Sequence, residues 1–594
     1  MEREIGEERA VPGAISVERN ISIPMRDGVN LAGDLYRPSG SGRYPTLLQR
    51  TPYNKSGSNG IAQAYALRAA EAGYAVLVQD VRGRFNSSGE FRGFMQEQPD
   101  GFDTCAWIVE QPWANGRIGM FGNSYVGMTQ WQAVLAGAPG LQAIAPVVTG
   151  ADYHDGWTYQ GGAFNLYFNY SWATAGLALE TAGRRRAANP AATGHAELVA
   201  RIDAMDDWLA KTPLDHDKTL IEHAAYYQDW LDHPDLDAYW DHLNVDGKYA
   251  SIAIPSLNIG GWNDIFLGGT LDNYTGMRWN GKTAEAREGT RLIIGPWSHQ
   301  SYSYGTPIGE YWPGTLSSSD AIDATGTQLR FFDRWLRDVD SGIGNEPPVS
   351  MFVMGDNVWR TESSWPIERA EAVEFFLGSG GRANSAAGDG KLLWDIPKAE
   401  QATPDHFLSD PRNPVPTAGG QLCCHMQWSP SGVYDQRAIE ARDDVLVYTT
   451  APFTERTEIT GPVSVVLFAA SSAVDCDWTA KLVDVCPCGC ARNITDGIIR
   501  ARYRTSMREP SLLIPGQVER YDIDLWSTSI ALPAGHSLRL EIAGSNFPRF
   551  DRNLQTGGLQ ATTPLSAALV AHQTVFHDAE HPSRLVVQIV PNQG

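Results

Sequence analysis

Between about residues 15 and 150, short apolar runs alternate with helical patterns, and no other feature constrains the fold as tightly. The order is NISIP, VNLAGDLY, YPTLLQR, IAQAYALRAAEAG, YAVLVQDV, FDTCAWIVEQ and IGMFGNS. Runs such as YAVLVQDV are apolar throughout, so both faces of such a strand need cover. Parallel neighbours also need crossover connections, which the intervening helices supply. The expectation for residues 1–149 is the first part of a doubly wound α/β domain. Between 150 and 250 the strand-like runs vanish, and AELVARIDAMDDWLAK and LIEHAAYYQDWLDH carry a helical period. SIAIPSLNIGGW and TRLIIGPW then resume the sheet over 251–361, followed by the helix TQLRFFDRWLRDV and MFVMGDNVW as one more strand. The segment 150–250 therefore reads as a helical cap inserted over one edge of the sheet. Over 362–594, short runs such as DVLVYTT, VSVVLFAASS, YDIDLWSTSI and HSLRLEIAG follow one another without helices, as in an all-β sandwich or jelly roll.

Charge narrows the partners. The chain has 47 Lys and Arg against 69 Asp and Glu, a formal charge of −22, which repels phosphate backbones and anionic lipid. Nucleic acid and membrane are poor partners on that ground, which leaves a small molecule as the expected partner, with a homodimer as a candidate assembly. No apolar run approaches the roughly 18 residues of a membrane span. The opening MEREIGEERAVPGAISVERN has no apolar core of a secretory signal, so the mature chain is expected to start near Met1 and the protein to be cytoplasmic.

The strongest chemical signal is Gly122-Asn123-Ser124-Tyr125-Val126-Gly127, between the strand-like IGMF and the helical YVGMTQWQAVLAGA. Its second glycine stands one place later than in the strict G-x-S-x-G pattern, but the strand-turn-helix context is that of a nucleophile elbow. A plain glycine-rich turn is the alternative. An elbow would put Ser124 at a helix N-terminus, where backbone N–H groups favour a developing oxyanion. A serine needs a base, and the base an orienting carboxylate. In the order Ser, acid, His, Asp264 closes SLNIGGWND and His299 closes LIIGPWSH, each directly after an apolar strand. His299 alone among the histidines has that position, and Asp264 also stands where it could cap the helix of FLGGTLDNYTG.

RTPYNK, QDVRGRFNSSGEF, GRIGMFGNSYVGMTQW, LNIGGWND and GPWSH, with the later RNITDGIIRARYR and SNFPRFDRN, resemble the cocaine esterase group of bacterial serine hydrolases. That group lies within the superfamily of X-prolyl dipeptidyl peptidases, α-amino acid ester hydrolases and glutaryl acylases. The resemblance implies an α/β-hydrolase fold with an inserted helical cap and a C-terminal all-β jelly-roll domain. It implies Ser124 as nucleophile, His299 as base and Asp264 as its orienter, with no cofactor and no metal. It also implies an oxyanion hole of the Tyr53 hydroxyl, in Thr51-Pro52-Tyr53, and the Tyr125 backbone N–H. On the residues alone, Tyr53 reads as readily as a packing tyrosine in a turn. Asp80, Arg82 and Arg84 fit either a substrate-anion site or, preferably, an internal ion-pair network.

Relatives that require a free α-amino group carry a carboxylate cluster beside the triad, whereas Asp264 is followed by the apolar Ile265, Phe266 and Leu267. An ammonium is costly to desolvate there. With Trp157 and Trp172 at the start of the cap, Phe266 suggests an acyl site for small apolar or aromatic groups, although each of these residues could instead be cap core. The resulting reading is an ester hydrolase, with an amidase, acylase or acyltransferase as the near alternative and a non-catalytic carbohydrate-binding protein as the distant one. Cys423, Cys424, Cys486, Cys488 and Cys490 lie outside the resemblance. Free thiols, disulfides and a zinc site compete for them, and free or disulfide-paired thiols are preferred because the C-x₂-C spacing of structural zinc is missing. They are remote in sequence from the catalytic elements, and a structural role is expected.

Overall fold

The computed structural model describes residues 14–57, 61–301, 307–424 and 431–592, so most of the N-terminal stretch that carries the expectation about a signal lies outside the described residues. Ten strands form the first sheet: β1 Ile15–Pro24, β2 Asn30–Pro38, β3 Tyr44–Thr51, β4 Ala75–Asp80, β5 Ala114–Asn123, β6 Leu141–Val147, β7 Leu257–Asn263, β8 Arg291–Ser298, β9 Val349–Val353 and β10 Val358–Glu362. Their spatial order is β1-β2-β4-β3-β5-β6-β7-β8-β9-β10. Neighbours from β4 to β9 are parallel, and the antiparallel pairs lie at the two ends.

The apolar character of the strands follows from helices on both faces. Leu47, Val76, Val78 and Phe121 point into a core with Ala66 and Ala69 of α1, Ile61–Glu71, and with Phe331 and Phe332 of the helix Ala324–Arg337. Their neighbours Leu48, Leu77 and Met120 point into the opposite core with Cys105 and Ile108 of α2, Glu97–Val109, and Met128 and Trp131 of α3, Tyr125–Leu135. A one-residue slip of register would keep both faces apolar but misalign the strand ends that carry the chemistry.

The sheet passes from β6 directly to β7, and residues 148–256 lie outside its strands. They are mostly helical, including a π-helical turn over Trp172–Ala178. Two features depart from the sequence reading. The segment contains a short hairpin, Tyr159–Gln160 with Ala163–Phe164, and MFVMGDNVW contributes two strands instead of one. The hairpin is held from the C-terminal region: Arg500 N–H donates to Gly161 O at 2.8 Å, and Phe164 N–H donates to Asp551 at 2.8 Å.

The C-terminal region is β-rich, a twelve-stranded, mainly antiparallel arrangement between Glu371 and Val590. Its own core includes Phe375, Leu467, Trp478 and Ile542. Backbone bonds from Met354 N–H to Ser529 and from Ala531 N–H to Met354 join it to the turn after β9. Among the described residues, no helix is long and apolar enough to cross a membrane.

Candidate active site

All four sequence-predicted polar residues emerge at the carboxyl edge of the parallel strands: Tyr53 after β3, Ser124 after β5, Asp264 after β7 and His299 after β8. Ser124 has φ 60° and ψ −126°, a strained conformation for a residue with a Cβ. The surrounding backbone fixes it. Ser124 N–H donates to Val147 O at 2.9 Å, and its carbonyl accepts from Gly127 and Met128. Gly122 has φ +130°, and a Cβ on it would meet Val126 Cγ1 at 2.3 Å, while one on Gly127 would meet Thr149 Cβ at 2.7 Å. Glycine at these two places lets the strand enter the helix so sharply. Tyr125 opens α3, so its N–H has no partner within the helix. Its side chain turns inward, donates to Glu97 Oε1 at 2.9 Å and accepts from Phe94 N–H at 3.0 Å. Glu97 pairs with buried Arg50 at 2.8 Å; burial pushes its carboxyl up against that attraction.

His299 Nδ1 lies 2.7 Å from Asp264 Oδ1, with the imidazole 7 % and the carboxylate 0 % exposed. Asp264 Oδ2 has no hydrogen-bond partner among the described residues. The helix after Asp264 starts at Leu267 with no side-chain cap. The additional capping role for Asp264 is therefore not observed, because its carboxylate is turned to the imidazole. Phe266 meets the His299 ring edge-on at 5.2 Å and 84°.

Tyr53 is 36 % exposed as a whole residue, but its hydroxyl end faces inward. Trp172 Nε1–H donates to that hydroxyl at 3.1 Å. Burial pushes the phenol up to about 12, opposed by smaller contributions from Trp172 and Ser124. Because the oxygen already accepts from Trp172, its own O–H is left to donate.

Trp172 and Arg84 make two contributions that sequence reasoning misses. The sequence points to Trp172 as a wall of an acyl pocket, and its indole N–H also orients Tyr53. Buried Arg84 donates to Pro52 O at 3.0 Å, Leu177 O at 2.8 Å and Gly176 O at 3.1 Å, and pairs with Glu180 at 3.0 Å. It ties the Tyr53 turn to the π-helical turn that presents Trp172. Asp80 accepts from Lys55 N–H at 2.6 Å, and burial raises it to about 6; Arg82 pairs with Asp27 and Asp100. These partners fit the internal network better than a substrate-anion site.

Trp157 and Phe266 are fully buried and stacked at 4.0 Å and 14°. Phe168 and Trp172 stack at 5.4 Å and 9°, and Trp172 stacks on Trp230 at 5.6 Å and 2°. The aromatic residues thus form one continuous wall from the cap to His299. Trp157 and Phe266 contribute as packed members of that wall, without exposed faces.

The cysteines are disulfide-paired or free, in keeping with the reading of their spacing. Cys486 pairs with Cys488 in the turn between two strands of the C-terminal region, and Cys490 is free. Cys423 and Cys424 are paired with each other and, though remote in sequence, lie near the site: Gln300 Nε2–H donates to the Cys424 carbonyl, beside His299.

Two family models match the chain: "X-Pro dipeptidyl-peptidase (S15 family)" over residues 27–301 and "X-Pro dipeptidyl-peptidase C-terminal non-catalytic domain" over 341–586. A cocaine esterase from Rhodococcus sp. (strain MB1 Bresler) is 39% identical over 585 residues, 98% of this chain and 100% of that protein. The solved structure of an α-amino acid ester hydrolase is 25% identical with a TM-score of 0.77, covering 99% of this chain and 98% of its own. An aminopeptidase from a marine sediment archaeon, Thaumarchaeota archaeon, has the same fold, with a TM-score of 0.79 over 100% of this chain and 99% of its own. The matches over both regions and the full-length likeness to the cocaine esterase place this chain in the X-Pro dipeptidyl-peptidase (S15) family.

Proposed function

We propose that this chain is a carboxylic ester hydrolase that works through a Ser124 acyl-enzyme, with His299 as general base and Asp264 holding the imidazole. The observation that carries the reading is the 2.7 Å bond from His299 Nδ1 to Asp264 Oδ1 at the same sheet edge as the strained Ser124. With Nδ1 engaged, Nε2 takes the Ser124 proton as Oγ attacks the ester carbonyl, then delivers it to the leaving alcohol. The tetrahedral oxyanion is held by the Tyr53 O–H and the Tyr125 backbone N–H. Water enters by the same route and releases the acid.

The full-length likeness to a cocaine esterase supports an ester of a small apolar or aromatic acyl group. The environment agrees with it. Ile265, Phe266 and Leu267 are buried beside Asp264, where an ammonium would lose its hydration without compensation. Asp152 and Asp155, the cap carboxylates otherwise available as its counter-ions, are engaged elsewhere. Asp152 accepts from His154 and Asp155 N–H at 2.7 and 2.9 Å, Asp155 accepts from Gly161 N–H at 2.8 Å, and burial raises them to about 7 and about 6.

Ser124→Ala tests the proposal. We expect kcat on a neutral aryl ester to fall by about 10⁴-fold or more with the fold intact. A well-folded Ser124→Ala enzyme of near-parental activity would refute it.

A further inference from the structure

Cys423 and Cys424 come from the loop between the strand Asp405–Ser409 and the helix Arg437–Glu440, yet they lie against the proposed base. One ligand-capable atom from each of His299, Cys423 and Cys424 falls within 4.8 Å of the others. Cys423 is 3 % exposed, and Cys424 and His299 are partly buried. A tetrahedral ion with metal–sulfur bonds of about 2.3 Å and metal–nitrogen bonds of about 2.0–2.1 Å spaces its ligands about 3.4–3.8 Å apart. The two sulfurs are bonded to each other, and reduction frees them to rotate apart to that spacing. Asp264 supplies the remaining element: a carboxylate on one imidazole nitrogen raises the basicity of the other toward a metal.

We infer that, once the Cys423–Cys424 disulfide is reduced, the chain binds one soft divalent cation of the Zn²⁺ or Cd²⁺ type through both thiolates and His299, and that occupancy switches hydrolysis off. The inference rests on the reading of His299 as the general base. Asp264 occupies Nδ1, so the nitrogen offered to the cation is Nε2, the one that would take the Ser124 proton. A cation there removes the base. The disulfide sulfurs must first be opened. A trialkylphosphine attacks the S–S bond and is oxidised to its oxide with oxygen from water, whose two hydrogens leave each sulfur as a thiol. Binding the cation then releases one proton from each thiol.

The exposed turn brings a second cluster, Cys486, Cys488 and Cys490, within the same span, so the test protein is the full chain with those three changed to Ser. It is reduced by phosphine, freed of reductant and titrated with Cd²⁺. The expected result is a thiolate-to-cadmium charge-transfer band that saturates at one ion per chain, with ester hydrolysis falling at least tenfold in parallel. A chelator should reverse both, and the oxidised protein should show neither. Adding Ser124→Ala should leave the band intact, and adding His299→Ala should weaken Cd²⁺ binding at least tenfold. No band after reduction, a band with undiminished hydrolysis, or equal affinity in the His299→Ala protein would each overturn the inference. The absorbance readout separates the two claims, since an active Ser124→Ala enzyme would refute the hydrolase reading while the band still reported on the cluster. If the Ser substitutions at Cys486, Cys488 and Cys490 prevent folding, the unsubstituted chain serves instead. Cd²⁺ should then inhibit its reduced form at least tenfold and leave its oxidised form active, and equal inhibition of both forms, or of neither, would overturn the inference.

Discussion

Tyr53→Phe removes one hydroxyl and isolates its contribution to the oxyanion hole. Tyr53 and the Tyr125 N–H are the two proposed donors, and loss of one such donor typically lowers kcat by about 10²–10³-fold, or about 2.7–4 kcal/mol of transition-state stabilisation. The ground state changes less. Trp172, 4 % exposed, loses the acceptor of its 3.1 Å bond, and an indole N–H left without a partner costs about 1–3 kcal/mol of folding stability. The two effects separate in the assay. Because the donor acts on charge that develops only in the transition state, kcat should fall with KM nearly unchanged, while thermal melting shows a modest loss. The phenol is raised to about 12, and its donating form is the neutral one, present below that pKa. The wild-type enzyme should therefore show no activity loss traceable to Tyr53 ionisation up to about pH 11. A folded Tyr53→Phe enzyme within about threefold of the wild-type kcat would refute the oxyanion role and leave Tyr53 a packing residue of the turn.

Asp264→Asn keeps the size of the side chain but removes the charge behind the imidazole and allows the wrong tautomer; kcat on an aryl ester should fall by about 10⁴-fold, and a loss below tenfold in a folded variant would contradict its role as orienter. Neutral benzoyl-type esters should exceed matched free α-amino acid esters in kcat/KM by at least about tenfold, a difference of only about 1.4 kcal/mol. A panel crossing these acyl groups with ester and anilide leaving groups checks this, and a preference for α-amino esters would mean that another carboxylate supplies an ammonium site.

The legible parts of this molecule are those encoded locally. Apolar strands alternating with helices reveal a covered parallel sheet, and the elbow is readable because its strand, turn and helix are contiguous. Asp264 and His299 can be singled out because each directly follows an apolar strand, so topology carries them to the edge where Ser124 sits. Tyr53 needs the family resemblance, since a tyrosine in a turn has no signature of its own. The Trp172 bond to Tyr53 spans 119 positions, and the Arg84 bond to Leu177 spans 93. Such contacts depend on how the cap settles on the sheet, which no sequence period reports. The approach of Cys424 to Gln300 across 124 positions is invisible for the same reason, and distance in sequence is a poor guide to its place in the fold.

Stoichiometric labelling with an aryl organophosphonate, read by intact mass and peptide mapping, tests the central claim most directly. The account predicts one adduct per chain, on Ser124, formed in step with the loss of esterase activity and absent from Ser124→Ala. Labelling of another residue with matching loss of activity, or full inactivation without an adduct on Ser124, would contradict it.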